Sequence, residues 1–189
     1  IAKLFALEDV NKAPAFFDLK KLEFINASYL RALSKEDFME RVTPWVSAEA
    51  APWPAENFDA GKYSIMVDLV QEKLRTLADL PRFVDFLFLE EPVDDPDSWH
   101  KAMVKGPQAV EMLDGAAVVL ADCPWETEAI KDAVAAVGEG LGIKLGKAQA
   151  PIRVALTGRT VGPPIFETMA LCFDRQVVLD RIAQARLRL

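Results

Sequence analysis

The sequence predicts an all-α protein that folds as a two-part helical bundle. Apolar residues recur at the spacing of one helix face, as in Ile65, Met66, Leu69 and Val70. Proline and glycine interrupt these runs where helices are expected to begin or end. No segment alternates apolar and polar residues in the way that a half-buried strand does.

Three helices are expected between residues 34 and 90. Ser34 begins the first, because an acidic residue, Asp37, follows at the third helical position, as in a capping box. Asn57 is expected to cap a long second helix that runs to Leu77. Pro81 opens a third, shorter helix, where its missing N–H would have no helical partner in any case.

An acidic, proline-rich stretch at residues 90–97 is the predicted boundary between the two parts. Gly158 is expected to end a helix in the left-handed conformation, as glycine commonly does. The helices expected after the boundary cover, approximately, residues 107–121, 126–140, 147–157, 166–171 and 175–187.

Composition excludes several classes of protein. The chain of 189 residues has a formal net charge of -7, one histidine, and two distant cysteines, Cys123 and Cys172. These residues do not support a histidine-rich metal site, a Ser-His-Asp relay or a disulfide scaffold, and they favour a cytoplasmic location. No apolar run is long enough for a membrane span, and no phosphate-binding loop is present. The chain starts at Ile1 in an apolar pattern without a leader, as expected of a piece of a longer protein.

Positive charge is concentrated near the end of the chain. Residues 141–189 contain eight Lys or Arg and three Asp or Glu, a net charge of +5, which leaves -12 for residues 1–140. A basic surface on an acidic body suits selective docking of an anionic partner. Solvated arginines on helix faces explain the same composition, and charge alone favours that simpler interpretation.

Residues 151–166 are the most informative segment of this basic part. They predict a helix that ends at Gly158, a rigid bend at Gly162-Pro163-Pro164, and the start of another helix. A bend with few side chains leaves backbone N–H and C=O groups open, and Arg153 and Arg159 are expected within reach of it. An unstacked nucleotide base is a ligand that suits such a surface.

Three segments, in this order, resemble the C-terminal half of a bacterial glutamyl-tRNA synthetase. They are residues 7–31, with the Phe-Asp, Lys-Leu, Asn and Tyr-Leu-Arg pattern; residues 74–80; and residues 142–158, with Pro-Ile-Arg-Val-Ala-Leu-Thr-Gly. The resemblance extends over essentially the whole chain. The HIGH and KMSKS elements of that family are absent from the sequence. The resemblance therefore implies a catalytic domain upstream of this chain.

The same resemblance implies an architecture. Residues 1–33 are similar to the end of the family's stem-contact region, residues 34–90 to a first anticodon-binding subdomain, and residues 91–189 to a second. In the family, this helical cage holds the unstacked anticodon bases of tRNA-Glu.

The resemblance also implies individual contacts in the second subdomain. Arg153 matches an arginine that contacts the anticodon. Thr160, Gly162, Pro163 and Ile165 match base-contacting positions of the bend. Gly162 replaces a residue with a side-chain hydroxyl in a relative, so its contact is expected to come from the backbone.

Lys73 matches a position where an arginine recognises the third anticodon base in strictly selective relatives. Lysine lacks the planar fork of arginine, so this difference predicts relaxed selectivity, with tRNA-Gln charged as well as tRNA-Glu. A solvated helix lysine is the alternative for Lys73, and an ion pair with Glu139 or Glu167 is the alternative for Arg153.

The resemblance thus predicts a glutamate–tRNA ligase that uses ATP and magnesium, acts as a monomer, and carries its catalytic residues outside this chain. The chain itself would recognise the anticodon, hold no cofactor, and have no ligase activity alone. The alternative of a different class is a helical module that binds a partner protein without binding RNA.

Overall fold

Helices form all of the regular secondary structure of residues 16–47 and 49–189, the part of the chain that the computed structural model describes. The α-helices are α1 (Leu19–Ala32), α2 (Lys35–Val46), α3 (Ala60–Val70), α4 (Leu80–Val84), α5 (Pro96–Trp99), α6 (Ala109–Asp122), α7 (Thr127–Gly140), α8 (Leu145–Thr157), α9 (Ile165–Cys172) and α10 (Arg175–Leu187). Turns of 3₁₀-helix cover Ala55–Asn57, Gln71–Lys73, Leu77–Asp79 and Asp85–Leu87, and a π-helical turn covers His100–Val104. The prediction of an all-α protein is confirmed. Residues 7–15 of the first family-like segment lie outside the described residues.

The start of α2 agrees with the sequence prediction, whereas the long helix from Asn57 to Leu77 was wrong. The Ser34 hydroxyl accepts a hydrogen bond from the Asp37 N–H at 3.1 Å, as a helix cap does. The residue that caps α3 is Asp59, and α3 ends at Val70. The Asn57 side chain instead donates a hydrogen bond to the carbonyl oxygen of Phe88 at 3.0 Å, a long-range contact that no local pattern indicates.

Helices α6 to α10 lie within a few residues of their predicted positions. The main difference is at α6, which begins at Ala109 and not at Pro107, because Gln108 adopts a left-handed conformation with φ of 53°. Helix α8 continues through Pro151 and ends at Gly158, whose φ of 72° is the predicted left-handed stop.

The hydrophobic core is continuous across residue 90, the predicted boundary between the two parts. Helix α6 packs against α7, α8 and α10, while α3 packs against α9. The rings of Phe86 and Phe173, one from each side of the boundary, stack with their centroids 5.9 Å apart. Burial of each such ring contributes about 1.5–3 kcal/mol. The assignment of residues 1–33, 34–90 and 91–189 to separate units stays a prediction.

Packing of α3 against α9 determines the position of the candidate site. The turn Gln71–Lys73 directly follows α3, and the bend at residues 158–164 directly precedes α9. The α3–α9 contact therefore places two regions that are distant in sequence on the same side of the protein. Among the described residues, none of the helices is long and apolar enough to cross a bilayer.

Candidate nucleic-acid interface

The bend between α8 and α9 begins at a glycine that no other residue could replace without strain. Gly158 has a φ of 72°, and a Cβ atom built on it would lie 2.2 Å from the carbonyl oxygen of Val93. Its N–H donates to the carbonyl oxygen of Val154 at 2.8 Å, and its own carbonyl accepts from the N–H of Asp95 at 2.9 Å. The chain is therefore fixed at the end of α8, and the bend that follows starts from a defined direction.

Arg153, on α8, holds the bend through a hydrogen bond to its backbone. Its Nη1 donates a hydrogen bond to the carbonyl oxygen of Pro163 at 2.5 Å, and it lies 3.8 Å from the position that a Cβ on Gly162 would occupy. Burial lowers the pKa of Arg153, and the negative charge of Glu167 partly opposes that shift. Within the described residues, Arg153 forms no ion pair with Glu139 or with Glu167. The guanidinium thus holds the loop by one hydrogen bond and retains a charge that no directly paired carboxylate neutralises.

Lys73 lies within range of the charge of Arg153, although 80 positions separate them in the sequence. Lys73 is exposed and belongs to the 3₁₀ turn after α3, not to a long helix as predicted. Partial burial and the positive charge of Arg153 lower its pKa, whereas Glu167 and Glu72 act in the opposite direction. The fold therefore brings two of the predicted site residues within range of each other's charge.

The predicted residues of the bend differ in what they expose. Gly162 is half-buried and has room for a side chain, whereas Pro163 is buried. Ile165 is 1% exposed, so its side chain belongs to the core and only its backbone N–H, at the start of α9, remains for a ligand. Val161, at the tip of the bend, is 74% exposed. The bend therefore presents the Val161 side chain and the backbone around Gly162.

Thr160 forms hydrogen bonds with Ser98, the residue that directly follows the acidic stretch 90–97. Its N–H donates to the Ser98 hydroxyl at 3.1 Å, and the two hydroxyls lie 3.1 Å apart. Ser98 in turn donates to the carboxylate of Asp95 at 2.6 Å, and hydrogen bonds from the Ser98 side chain and backbone lower the pKa of Asp95. The Thr160 hydroxyl therefore has a structural partner, and its first role is to anchor the bend.

Arg159 lies at the bend, but its guanidinium is held by an ion pair inside the protein. Arg159 is 9% exposed and forms a bidentate ion pair with Asp85, with Nη1–Oδ1 and Nη2–Oδ2 distances of 2.8 and 2.7 Å. Its Nη1 also donates to the carbonyl oxygen of Arg82 at 2.6 Å. Helix spacing could not indicate this pair, because Asp85 is 74 positions away.

A basic groove beside Lys73 was missed by the sequence analysis. Four cationic side chains and one acidic side chain line it, together with apolar residues, around a volume of about 500 Å³. The cations are Lys20, Arg31, Lys73 and Arg75, and Arg75 is paired with Glu23 at 3.1 Å. Lys20 and Arg31 are on α1, so only the packing of α1 against the turn after α3 brings these charges together. The groove extends the positive surface of the site towards α1.

Comparisons with known proteins show the family to which the chain belongs. Residues 37–186 match the sequence model of the family described as "Anticodon binding domain". The chain is 48% identical over 184 residues to a glutamate–tRNA ligase of Thermobifida fusca (strain YX), a match that covers 96% of this chain and 38% of that protein. It is also 48% identical over 190 residues to a glutamate–tRNA ligase of Frankia alni, where the match covers 100% of this chain and 40% of that protein. The chain thus spans about two fifths of the length of these curated relatives.

The fold is similar to that of a solved glutamate tRNA ligase from Elizabethkingia meningosepticum in complex with its amino acid. The TM-score is 0.71 at 22% identity, and the match covers 98% of this chain and 35% of that one. At this level of identity, the likeness shows a shared helical fold.

Proposed function

Because this chain belongs to the anticodon-binding domain family, we propose that it recognises the anticodon of tRNA-Glu as one part of a longer glutamate–tRNA ligase. The observation that carries the proposal is the pair of cations, Lys73 and Arg153, beside an open bend. Neighbouring cations without direct carboxylate partners attract the phosphates and base acceptors of an RNA loop. The identity of the relatives supports tRNA-Glu as the RNA.

In this proposal the bend contacts bases mainly through its backbone. Val161 and Gly162 supply the accessible part of the loop, whereas the Pro163 side chain is buried, and the N–H of Ile165 lies at the start of α9. Thr160 keeps its hydrogen bonds to Ser98 and holds the loop in position for the RNA. Backbone groups in a fixed loop suit an unstacked base, because their hydrogen bonds do not require a side chain to be ordered first.

Lys73 is proposed to set relaxed selectivity at the third anticodon base. A lysine ammonium donates to acceptors on several bases, whereas an arginine fork fixes two parallel hydrogen bonds to one edge. We therefore expect the longer protein to charge tRNA-Gln as well as tRNA-Glu. The variant Lys73→Arg should shift the ratio of kcat/KM values towards tRNA-Glu by about tenfold, which corresponds to about 1.4 kcal/mol. A preference of the unmodified protein for tRNA-Glu of several hundredfold would contradict relaxed selectivity.

The chemical step is assigned to residues outside this chain. Among the described residues, no three or more His, Cys, Asp or Glu side chains are grouped as metal ligands. We infer that ATP and magnesium are used by the remaining part of a monomeric, cytoplasmic protein. The chain alone should then show no glutamate-dependent pyrophosphate exchange, and detection of such exchange would contradict the assignment.

Binding to an anticodon stem-loop of tRNA-Glu tests the proposal. We expect binding that weakens as the salt concentration rises, because phosphate contacts release counterions. A stem-loop with a replaced anticodon is the RNA control. If no RNA binds at low salt, the anticodon proposal fails, and a helical module that binds a partner protein becomes the favoured function.

A further inference from the structure

We propose that Ser98 is a positioning residue for RNA recognition, whose hydroxyl fixes the backbone of the bend at Thr160 without contacting the RNA itself. The inference rests on the proposed function, since it takes the bend as the surface that the RNA meets. It assigns the contribution of position 160 to the backbone N–H and not to the threonine hydroxyl. It also gives a role to Ser98, a residue that the family resemblance did not include.

The local sequence Asp95-Pro96-Asp97-Ser98 brings a carboxylate and a hydroxyl together. Asp95 directly precedes the short helix α5, and its carboxylate accepts a hydrogen bond from the Ser98 N–H at 3.0 Å, as an N-cap residue does. The Ser98 hydroxyl donates a second hydrogen bond to the same carboxylate at 2.6 Å. The hydroxyl proton of Ser98 is therefore directed at Asp95.

The direction of this proton determines the other hydrogen bonds of Ser98. A serine hydroxyl has one donor and two acceptor lone pairs. Because its donor is used on Asp95, the Ser98 oxygen accepts from the N–H of Thr160 at 3.1 Å and from the Thr160 hydroxyl, which also lies 3.1 Å away. Ser98 is 7% exposed, so its hydroxyl is saturated inside the protein. Alanine at this position would leave the Thr160 N–H without its acceptor.

The segment that contains Ser98 holds the bend at a second point. The N–H of Asp95 donates to the carbonyl oxygen of Gly158 at 2.9 Å. Gly158 and Thr160 are therefore both bonded to a segment of four residues, 95–98, which lies more than 60 positions earlier in the sequence. Thr160 is the later of the two contacts, and the accessible tip of the bend follows it directly.

The accessible tip of the bend lies between two hydrogen-bonded positions. Val161 is 74% exposed and Gly162 is half-buried. Ser98 holds the residue before this tip, and Arg153 donates to the carbonyl oxygen of Pro163, the residue after it. A tip that is fixed on both sides has less conformational freedom to lose when it binds a ligand. Loss of the Ser98 hydroxyl should therefore weaken RNA binding, although this group is directed away from the RNA.

The experiment compares Ser98→Ala with Thr160→Val in the full-length protein through KM and kcat for charging of tRNA-Glu. Ser98→Ala removes the acceptor of the Thr160 N–H and should raise KM for tRNA-Glu by about tenfold, the effect of one lost hydrogen bond of about 1.4 kcal/mol. The value of kcat should change little, because the lost interaction is one of binding and not of the chemical step. Thr160→Val keeps the backbone N–H and removes only the hydroxyl, so its KM should stay close to that of the unmodified protein.

Hydrogen–deuterium exchange of the peptide that contains residues 158–164 tests the hydrogen bond directly. This peptide should exchange faster in Ser98→Ala, because the N–H of Thr160 loses its acceptor, and at the unmodified rate in Thr160→Val. Val42→Ala, a large-to-small change at a buried position of α2, is the control for a general loss of stability. It should lower the melting temperature and leave KM for tRNA-Glu unchanged.

The outcomes distinguish this inference from the proposed function. If Ser98→Ala keeps the KM of the unmodified protein or does not speed exchange in the bend, the positioning role is overturned and anticodon recognition stands. The same conclusion follows if Thr160→Val raises KM as much as Ser98→Ala, or if Val42→Ala does so. If the unmodified protein does not charge tRNA-Glu, the proposed function itself fails.

Discussion

Replacing Asp85 with alanine is expected to lower the free energy of unfolding by about 3–5 kcal/mol. Asp85 and Arg159 form a bidentate ion pair, and their side chains are 6% and 11% exposed. Without Asp85, the Arg159 guanidinium would stay in the core with only the carbonyl oxygen of Arg82 as a partner. The pair joins a residue before the acidic linker to one in the bend, so the same change should also loosen the bend.

The magnitude follows from the two hydrogen bonds that disappear. A hydrogen bond to a charged group contributes about 1.5–3 kcal/mol, and loss of two of them agrees with the cost measured for breaking buried pairs. Replacing both partners by apolar residues removes the isolated charge. The double variant Asp85→Leu with Arg159→Met should therefore be less destabilised than Asp85→Ala alone.

Urea unfolding followed by far-UV circular dichroism measures these differences. Asp68→Ala is the control, because Asp68 pairs with Lys35 at a surface where the two side chains are 57% and 36% exposed. Such a pair contributes about 0–1 kcal/mol. If Asp85→Ala costs no more than Asp68→Ala, or if the double variant is less stable than the single one, the buried pair is not the constraint that its geometry indicates.

Three further changes test the site. Gly158→Ala should lower the free energy of unfolding by at least about 1 kcal/mol, because φ is 72° and the new Cβ would overlap a backbone carbonyl. Gly162→Ala has room for its Cβ and should leave stability unchanged. Equal urea midpoints for the two variants would contradict this. Burial and the charge of Arg153 lower the pKa of Lys73, so its charge should be lost at a lower pH than that of an ordinary lysine. As the pH rises, the RNA affinity of the unmodified protein should therefore fall earlier than that of Lys73→Arg. Identical pH profiles at constant salt would refute this. Arg153→Ala should weaken binding of the tRNA-Glu stem-loop by about tenfold or more and leave glutamate activation by the full-length protein unchanged. The control Arg186→Ala, at a surface ion pair, should bind the stem-loop normally. A lower melting temperature with unchanged RNA affinity would show that Arg153 has a structural role alone.

Features that depend on neighbouring residues were predictable from the sequence. Ser34 caps α2 through an N–H three positions away, and Gly158 ends α8 through its own backbone conformation. Both depend on backbone geometry within one or two turns, which residue types largely determine. The long helix expected after Asn57 failed for a related reason. Asp59, two positions later, offers a carboxylate that accepts from the N–H groups of Gly61 and Lys62, and the sequence contained two competing caps.

The composition of the candidate site depended instead on tertiary packing. The sequence placed Arg153 and Arg159 near one bend, but only the fold shows that Arg159 is neutralised by Asp85 from the other side of the linker. In the same way, the contact between α3 and α9 places the turn that holds Lys73 on the same side of the protein as the bend before α9. Spacing along a helix reports which residues share a face, and the family resemblance reports which positions matter in relatives. Neither contains the distance between side chains on different helices, because that distance is set by how the buried faces fit together in the core.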